Sequence, residues 1–163
     1  MKPIKAFLDT NIILDIICQR EAFAEASTIL ELGIRGELTL FCTSLTIANC
    51  IYCSRKQLGM DKAKALLKEL CRFIHIAPSG QEQINLAFST TNPDFEDALQ
   101  YFSAEAIEAD VILTRNEKHF IHSAIPVMNC LTFLSQKVNG RIQIASANLR
   151  KLFVKAFYRC VKI

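Results

Sequence analysis

The 163 residues predict an α/β fold, a three-layer α/β/α sandwich around a mainly parallel sheet of four to five strands, with a C-terminal helical extension. Three observations carry that expectation. Short apolar runs alternate with segments that are apolar at helical spacing, the pattern of a parallel sheet covered on both faces. Polar residues directly follow the first and fourth runs, where such sheets place their sites. Hydrophobic residues make up 51% and charged residues 21%, a balance that suits one buried core and excludes a disordered chain.

In chain order, Ile4 to Leu8 reads as a buried strand ending at Asp9. Asn11 to Cys18 is apolar at helical spacing. Phe23, Ala26, Ile29, Leu30, Gly33 and Ile34 form one stripe, predicting a helix that stops near Gly36. Leu38 to Cys42 reads as the second strand. Ser44 is the expected N-cap of a helix from Leu45 to about Gln57, stopped by Gly59. Asp61 is the expected cap of the next helix, to about Arg72. Phe73 to Ala77 reads as a third strand, and Ser79 or Gly80 opens a helix through Phe88.

Asn92-Pro93-Asp94 is a turn into a helix from Phe95 to about Glu108. Asp110 to Thr114 reads as the fourth strand and Glu117 to Phe120 as a short helical turn. Ile125 to Met128 predicts an edge strand, because Pro126 cannot donate to a ladder. A last helix begins at Leu131. Residues 1–136 are expected to form one domain and residues 137–163 a basic extension, helical from its apolar spacing at Leu149, Leu152, Phe153, Ala156, Phe157 and Cys160.

Charge is unevenly spread. Of 19 basic and 16 acidic residues, seven basic and no acidic ones lie from Lys137 onward, leaving 12 basic against 16 acidic before it. The body is therefore mildly acidic and the tail basic, which suits RNA phosphates or an acidic partner; an ordinary docked helix with a solvated face reads the same way. No apolar run approaches the roughly 20 residues of a membrane span. Asp9, Asn11 and Asp15 interrupt any export-signal core, so a cytoplasmic protein without a membrane is expected. The seven cysteines are expected as buried, reduced thiols; Cys50 and Cys53 lack the second ligand pair of a zinc site.

Three segments carry a resemblance. They are Phe7-Leu8-Asp9-Thr10-Asn11, Asp94-Phe95-Glu96-Asp97-Ala98-Leu99, and Asp110-Val111-Ile112-Leu113-Thr114-Arg115-Asn116-Glu117-Lys118-His119-Phe120. In this order, and with Ile125-Pro126-Val127 closing the domain, they resemble the PIN domain family and its VapC-like toxin ribonucleases. The resemblance covers roughly residues 4 to 136. It implies an endoribonuclease that uses Mg²⁺ or Mn²⁺, RNA as substrate, an antitoxin protein as partner and a homodimer. It implies Asp9, Asp97 and Asp94 as metal ligands, these three with Asn116 as catalytic residues, and Asn11, Asn49, Thr114 and Arg115 as substrate-binding residues.

Each of these residues also has an ordinary structural reading. Asp9 and Asp94 suit helix N-caps, and Asp97 suits a first turn favoured by the helix dipole. Asn116 suits a turn after a strand, Arg115 suits a carboxylate partner, and Glu96 is expected to be solvated. Two positions depart from the family pattern: Asn49 stands where many members have Glu, and His119 where some have Asp. Fewer negative charges remain for a cation, so the alternative is a catalytically degenerate domain that binds RNA or protein. An Asp after a first strand also occurs in phosphotransfer domains of the receiver or haloacid type. Those require a Lys after a later strand, and none directly follows the fourth strand here.

Overall fold

The structure is a computed structural model that describes residues 2–120 and 123–138. It contains five strands, β1 (Ile4–Leu8), β2 (Leu38–Cys42), β3 (Ile74–Ile76), β4 (Val111–Leu113) and β5 (Val127–Met128). The helices are α1 (Thr10–Ile17), α2 (Phe23–Ile34), α3 (Ser44–Leu58), α4 (Met60–Leu70), α5 (Gln81–Phe88), α6 (Phe95–Ala106) and α7 (Cys130–Val138), with a 3₁₀ turn at Glu117–Phe120. The sheet order is β3-β2-β1-β4-β5 and every described pairing is parallel. The three-layer α/β/α expectation therefore holds. β5, whose residues follow Pro126, is an edge strand as its proline requires.

Side-chain alternation along the strands builds the layers. Ala6 and Leu8 of β1, Leu38, Leu40 and Cys42 of β2, and Val111 and Leu113 of β4 join one core with α1, α2, α4 and α7. Phe7 and Ile112 face the opposite way, into a smaller core with Ala104 of α6 and Phe120. Ala98 and Leu99 of α6 pack on Ala87 of α5 in a third cluster. Helix α1 is buried at seven of its eight positions, Asp15 included, because α2 and α3 pack on its other sides.

Several helix starts differ from expectation. Thr43, not Ser44, caps α3: it has extended backbone (φ −90°, ψ 162°) and its hydroxyl accepts from the Thr46 N–H at 3.0 Å. Gly59, not Asp61, precedes α4, because its φ of 80° turns the chain one residue before Met60; Asp61 remains a favourable first-turn acid. α6 ends at Ala106, two residues early, where Glu108 takes a positive φ of 52°. Cys53 and Cys71 are exposed, whereas Cys18, Cys42, Cys50 and Cys130 are buried; burial pushes the Cys42 and Cys130 thiols up to about 12. Cys160 and the basic segment after Val138 lie outside the described residues.

Gly33 lets α2 approach the sheet. A Cβ there would overlap the Cδ1 atom of Leu40 and lie 2.7 Å from its Cγ, and Leu40 is fully buried at the middle of β2. Gly33→Ala is therefore expected to destabilise the protein by about 1–2 kcal/mol in chemical denaturation, overpacking outweighing the roughly 1 kcal/mol gain in helix propensity. An unchanged or raised midpoint would contradict this packing.

Candidate active site

The chain runs from β1 outward to β3 on one side and returns to place β4 and β5 on the other, so the switch in strand order falls between β1 and β4. Ligand sites of open parallel sheets lie just beyond the carboxyl ends of the strands at such a switch. The register pairs Leu8 with Leu113, which sets Asp9 and Thr114 side by side as the first residues past the two strands. The Asp9 N–H continues the ladder by donating to the Leu113 carbonyl at 3.0 Å.

Asp9 occupies the N-cap position of α1, yet its side chain makes no capping hydrogen bond. Its carboxylate is 4% exposed as a residue and is held from two other elements. Thr114 Oγ1 donates to Oδ2 at 2.8 Å, and Gln100 Nε2 of α6 donates to Oδ1 at 3.2 Å. The structure thus moves Thr114 from substrate contact to holding Asp9, since the residue is completely buried behind it. The same hydroxyl accepts the Asn116 N–H at 2.9 Å, shaping the turn that leaves Asn116 exposed at the rim.

Sequence reading missed Gln100 and misplaced Glu96. Glu96 is half-buried, not solvated: its Oε1 accepts from Thr10 Oγ1 at 2.9 Å and from Gln100 Nε2 at 3.4 Å. The result is a polar chain, Thr114–Asp9–Gln100–Glu96–Thr10, that ties the ends of β1 and β4 to α6. Gln100 Oε1 is buried with no hydrogen-bond partner among the described residues. The i, i+4 spacing of Glu96 and Gln100 places them on one face of α6, the only sequence signal that could have joined them.

Asp94 caps α6 as the ordinary reading held, its Oδ1 accepting from the Glu96 and Asp97 N–H groups at 3.0 and 3.2 Å. Asp97 is 8% exposed. Burial pushes its carboxyl up to about 6, with Asp94 and then Asp9 adding like charge, while a hydrogen bond from His119 opposes the rise. His119 Nδ1 and Asp97 Oδ2 share a hydrogen bond of 2.6 Å. One ligand atom each from Asp94, Asp97 and His119 lie within 4.8 Å of one another. Asp9 does not join that tightest group, although its charge is felt at Asp97. His119 had been read as a lost acid, and no local pattern tied it to a helix 22 residues earlier.

The other polar residues named from the sequence lie on several elements. Arg115 is engaged by carboxylates in this structure: Nη1 bonds Asp15 Oδ1 at 3.0 Å and Nη2 lies 3.5 Å from the exposed Glu21. Asp15 is fully buried, and that burial raises its carboxyl above the usual value against the opposing pull of Arg115. Asn11 is half-buried in the first turn of α1. Asn49 is half-buried on α3, next to Cys50, whose Sγ contacts the Thr10 carbonyl at 3.7 Å. Asp110 is at the opposite end of the sheet, accepting from the Lys5 N–H at 2.8 Å.

Oxygen donors with surplus negative charge suit a hard divalent cation. Asp97 is raised first by burial and then by the neighbouring Asp94 and Asp9, so a cation among these carboxylates would meet negative charge that the protein leaves unbalanced, and the donor set fits a hard divalent ion. Asp94 and His119 also line a cavity of about 770 Å³ with Asn92, Tyr101, Phe102 and Lys118, which gives the cluster access to solvent.

Comparison with known proteins adds family likeness. The family model of the PIN domain matches residues 5–118. Ribonuclease VapC1 of Aquifex aeolicus (strain VF5) is 29% identical over 141 residues, spanning 82% of this chain and 95% of that protein. A chain in the crystal structure of VapBC2 from Rickettsia felis, bound to a DNA fragment from their promoter, shares 17% identity and a TM-score of 0.57. That match covers 77% of this chain and 98% of the other, and it is a likeness of fold.

The raised Asp97 carboxyl has a stability consequence. Below its ordinary value of 3.8 the group is protonated folded or unfolded, and it contributes nothing. Between 3.8 and about 6 the unfolded chain ionises first, so stability falls as pH rises; above 6 the full penalty stands. Without divalent cations, Asp97→Asn is expected to be more stable than wild type at pH 8 by on the order of 1–3 kcal/mol. The gain should vanish near pH 4, as read by denaturation at each pH. A less stable variant at pH 8 would contradict the electrostatic description.

Proposed function

Because the chain belongs to the PIN domain family, we propose that it is a Mg²⁺- or Mn²⁺-dependent endoribonuclease, the toxin of a toxin–antitoxin pair. The observation that carries this reading is the pair of buried carboxylates, Asp9 and Asp97, gathered beyond the ends of β1 and β4 with Asp94 beside them. The likeness to Ribonuclease VapC1 supports RNA as the substrate, and the VapBC2 fold match supports an antitoxin protein as the partner.

In this reading Asp97, Asp94 and Asp9 hold the cation. Bound there, it would supply positive charge to a phosphodiester and acidify the attacking water. The chain does the positioning. Thr114 and Gln100 fix both oxygens of Asp9, and the α6 backbone fixes Oδ1 of Asp94. Glu96 holds Gln100 in turn. Asn11 and Asn49 offer neutral polar groups to the substrate, and the exposed Asn116 completes the catalytic set as a neutral group beside the cation. Arg115, exposed and paired with buried Asp15, offers its remaining N–H groups to a substrate phosphate.

Residues 1–136 are the nuclease unit in this proposal, and residues 137–163 a basic extension whose charge suits RNA phosphate or an acidic antitoxin. A homodimer in the cytoplasm completes it. Among the described residues no helix is long and apolar enough to cross a membrane. A second reading, a catalytically silent domain that binds RNA or protein, is favoured by one observation: the half-buried α3 position next to Cys50 carries the neutral Asn49.

The test is cleavage of a labelled single-stranded RNA with Mg²⁺ or Mn²⁺. Asp9→Asn and Asp97→Asn should each lose at least about a hundredfold in rate, roughly 3 kcal/mol of barrier. Thr114→Val should lose about 10–100-fold, the usual effect of loosening a group that orients a ligand. Unchanged cleavage in both aspartate variants would place the chemistry elsewhere. RNA binding by a wild type that never cleaves would establish the second reading.

A further inference from the structure

We propose that His119 Nδ1 is itself a ligand of the cation, making a mixed nitrogen and oxygen centre that selects Mn²⁺ over Mg²⁺. This rests on the metal-dependent reading above and assigns a residue that the acidic pattern leaves out.

The turn carrying His119 is anchored on both sides. Phe120 is buried in the core beneath it with Phe7, Ala104 and Ile112. The His119 N–H donates to the Asn116 carbonyl at 3.0 Å, and its own carbonyl accepts from Asn92 Nδ2 at 3.4 Å. Asn92 in turn accepts the Asp94 N–H at 3.0 Å, so the loops bearing His119 and Asp94 are bonded to each other. The imidazole is thereby presented to Asp97 by backbone that is fixed before any ligand arrives.

Distances decide between a surface ion pair and a shared ligand set. Nδ1 and one oxygen each of Asp94 and Asp97 lie within 4.8 Å of one another. Ligand atoms about 2.1 Å from one ion are about 3 Å apart when adjacent and about 4.2 Å apart when opposite. The 4.8 Å ceiling exceeds the opposite spacing by about 0.6 Å, so a small inward movement of the side chains would gather the three atoms into one coordination shell. The Nδ1 to Asp97 Oδ2 separation of 2.6 Å need only open by about 0.4 Å to reach the adjacent spacing.

The nitrogen sets the metal. Mg²⁺ takes oxygen ligands almost exclusively; Mn²⁺ shares its liking for carboxylate but, as a first-row transition ion, also binds nitrogen, more weakly than the later ions that imidazole suits best. A His in the first position after Lys118 thus turns a general hard-cation cluster into one that discriminates.

Pulsed electron paramagnetic resonance of Mn²⁺ bound to the full chain tests this. A hyperfine coupling to a directly bound nitrogen is expected, shifting on labelling histidine with the heavy nitrogen isotope in the unmutated protein. His119→Asp, which keeps an oxygen donor in place, should abolish the coupling. It should also lower the Mn²⁺ over Mg²⁺ affinity ratio about tenfold in calorimetric titration. Bound Mn²⁺ with no nitrogen coupling, or an unchanged ratio in His119→Asp, would overturn the assignment while leaving the carboxylate site intact. Wild type that binds no Mn²⁺ would overturn both.

Discussion

The structure depends on how one buried carboxylate is held. Asp9 sits at the junction of β1 and α1, out of water, and an ionised carboxylate there is costly unless each oxygen is hydrogen-bonded. Thr114 and Gln100 meet that requirement from the end of β4 and from α6. Strand order and site are therefore coupled. β4 must lie beside β1 for Thr114 to reach Asp9, and α6 must cross the same edge for Gln100 to do so. Parallel pairing in this order supplies both.

Around that anchor the molecule concentrates like charge. Asp9 and Asp94 both raise Asp97, and Glu96 lies one helical turn from Gln100. Packing alone would not select such a group. A protein that retains it at the carboxyl ends of its strands gives up stability for a site, as functional centres commonly do. His119 and the α6 backbone amides soften the repulsion without removing it. The Asp15–Arg115 pair is a contrasting case, in which a buried acid is answered by one guanidinium that also reaches Glu21, while Asp15 Oδ2 has no hydrogen-bond partner among the described residues.

The sheet was legible because its signal is local. Ile4–Leu8 and Leu38–Cys42 are mostly apolar runs broken only by Lys5 and Thr39, and Gly36 and Pro126 act within a residue or two of where they stand. Asp9, Asp94 and Asp97 stand out in the sequence because short ordered motifs surround them, and the structure gathers them beyond the ends of β1 and β4. Gln100, Glu96 and His119 were not, because their roles exist only in contacts across 91, 86 and 22 residues. A Gln on an apolar helix face and a His before a Phe carry no such information by themselves. Thr114 and Arg115 were visible as polar residues after a strand, but direction decided their roles: one points back to Asp9, the other to Asp15. Caps slipped by one or two residues at Thr43 and Gly59, where several adjacent residues have competing capping ability.

The most direct test of the account is a crystal soaked in millimolar Mn²⁺ and measured at a wavelength where manganese scatters anomalously. The account predicts one peak against the Asp97 carboxylate, on the side shared with Asp94 and toward Asp9. A fully ordered site with no peak there, or a peak confined to the Asp15–Glu21 side of Arg115, would contradict it.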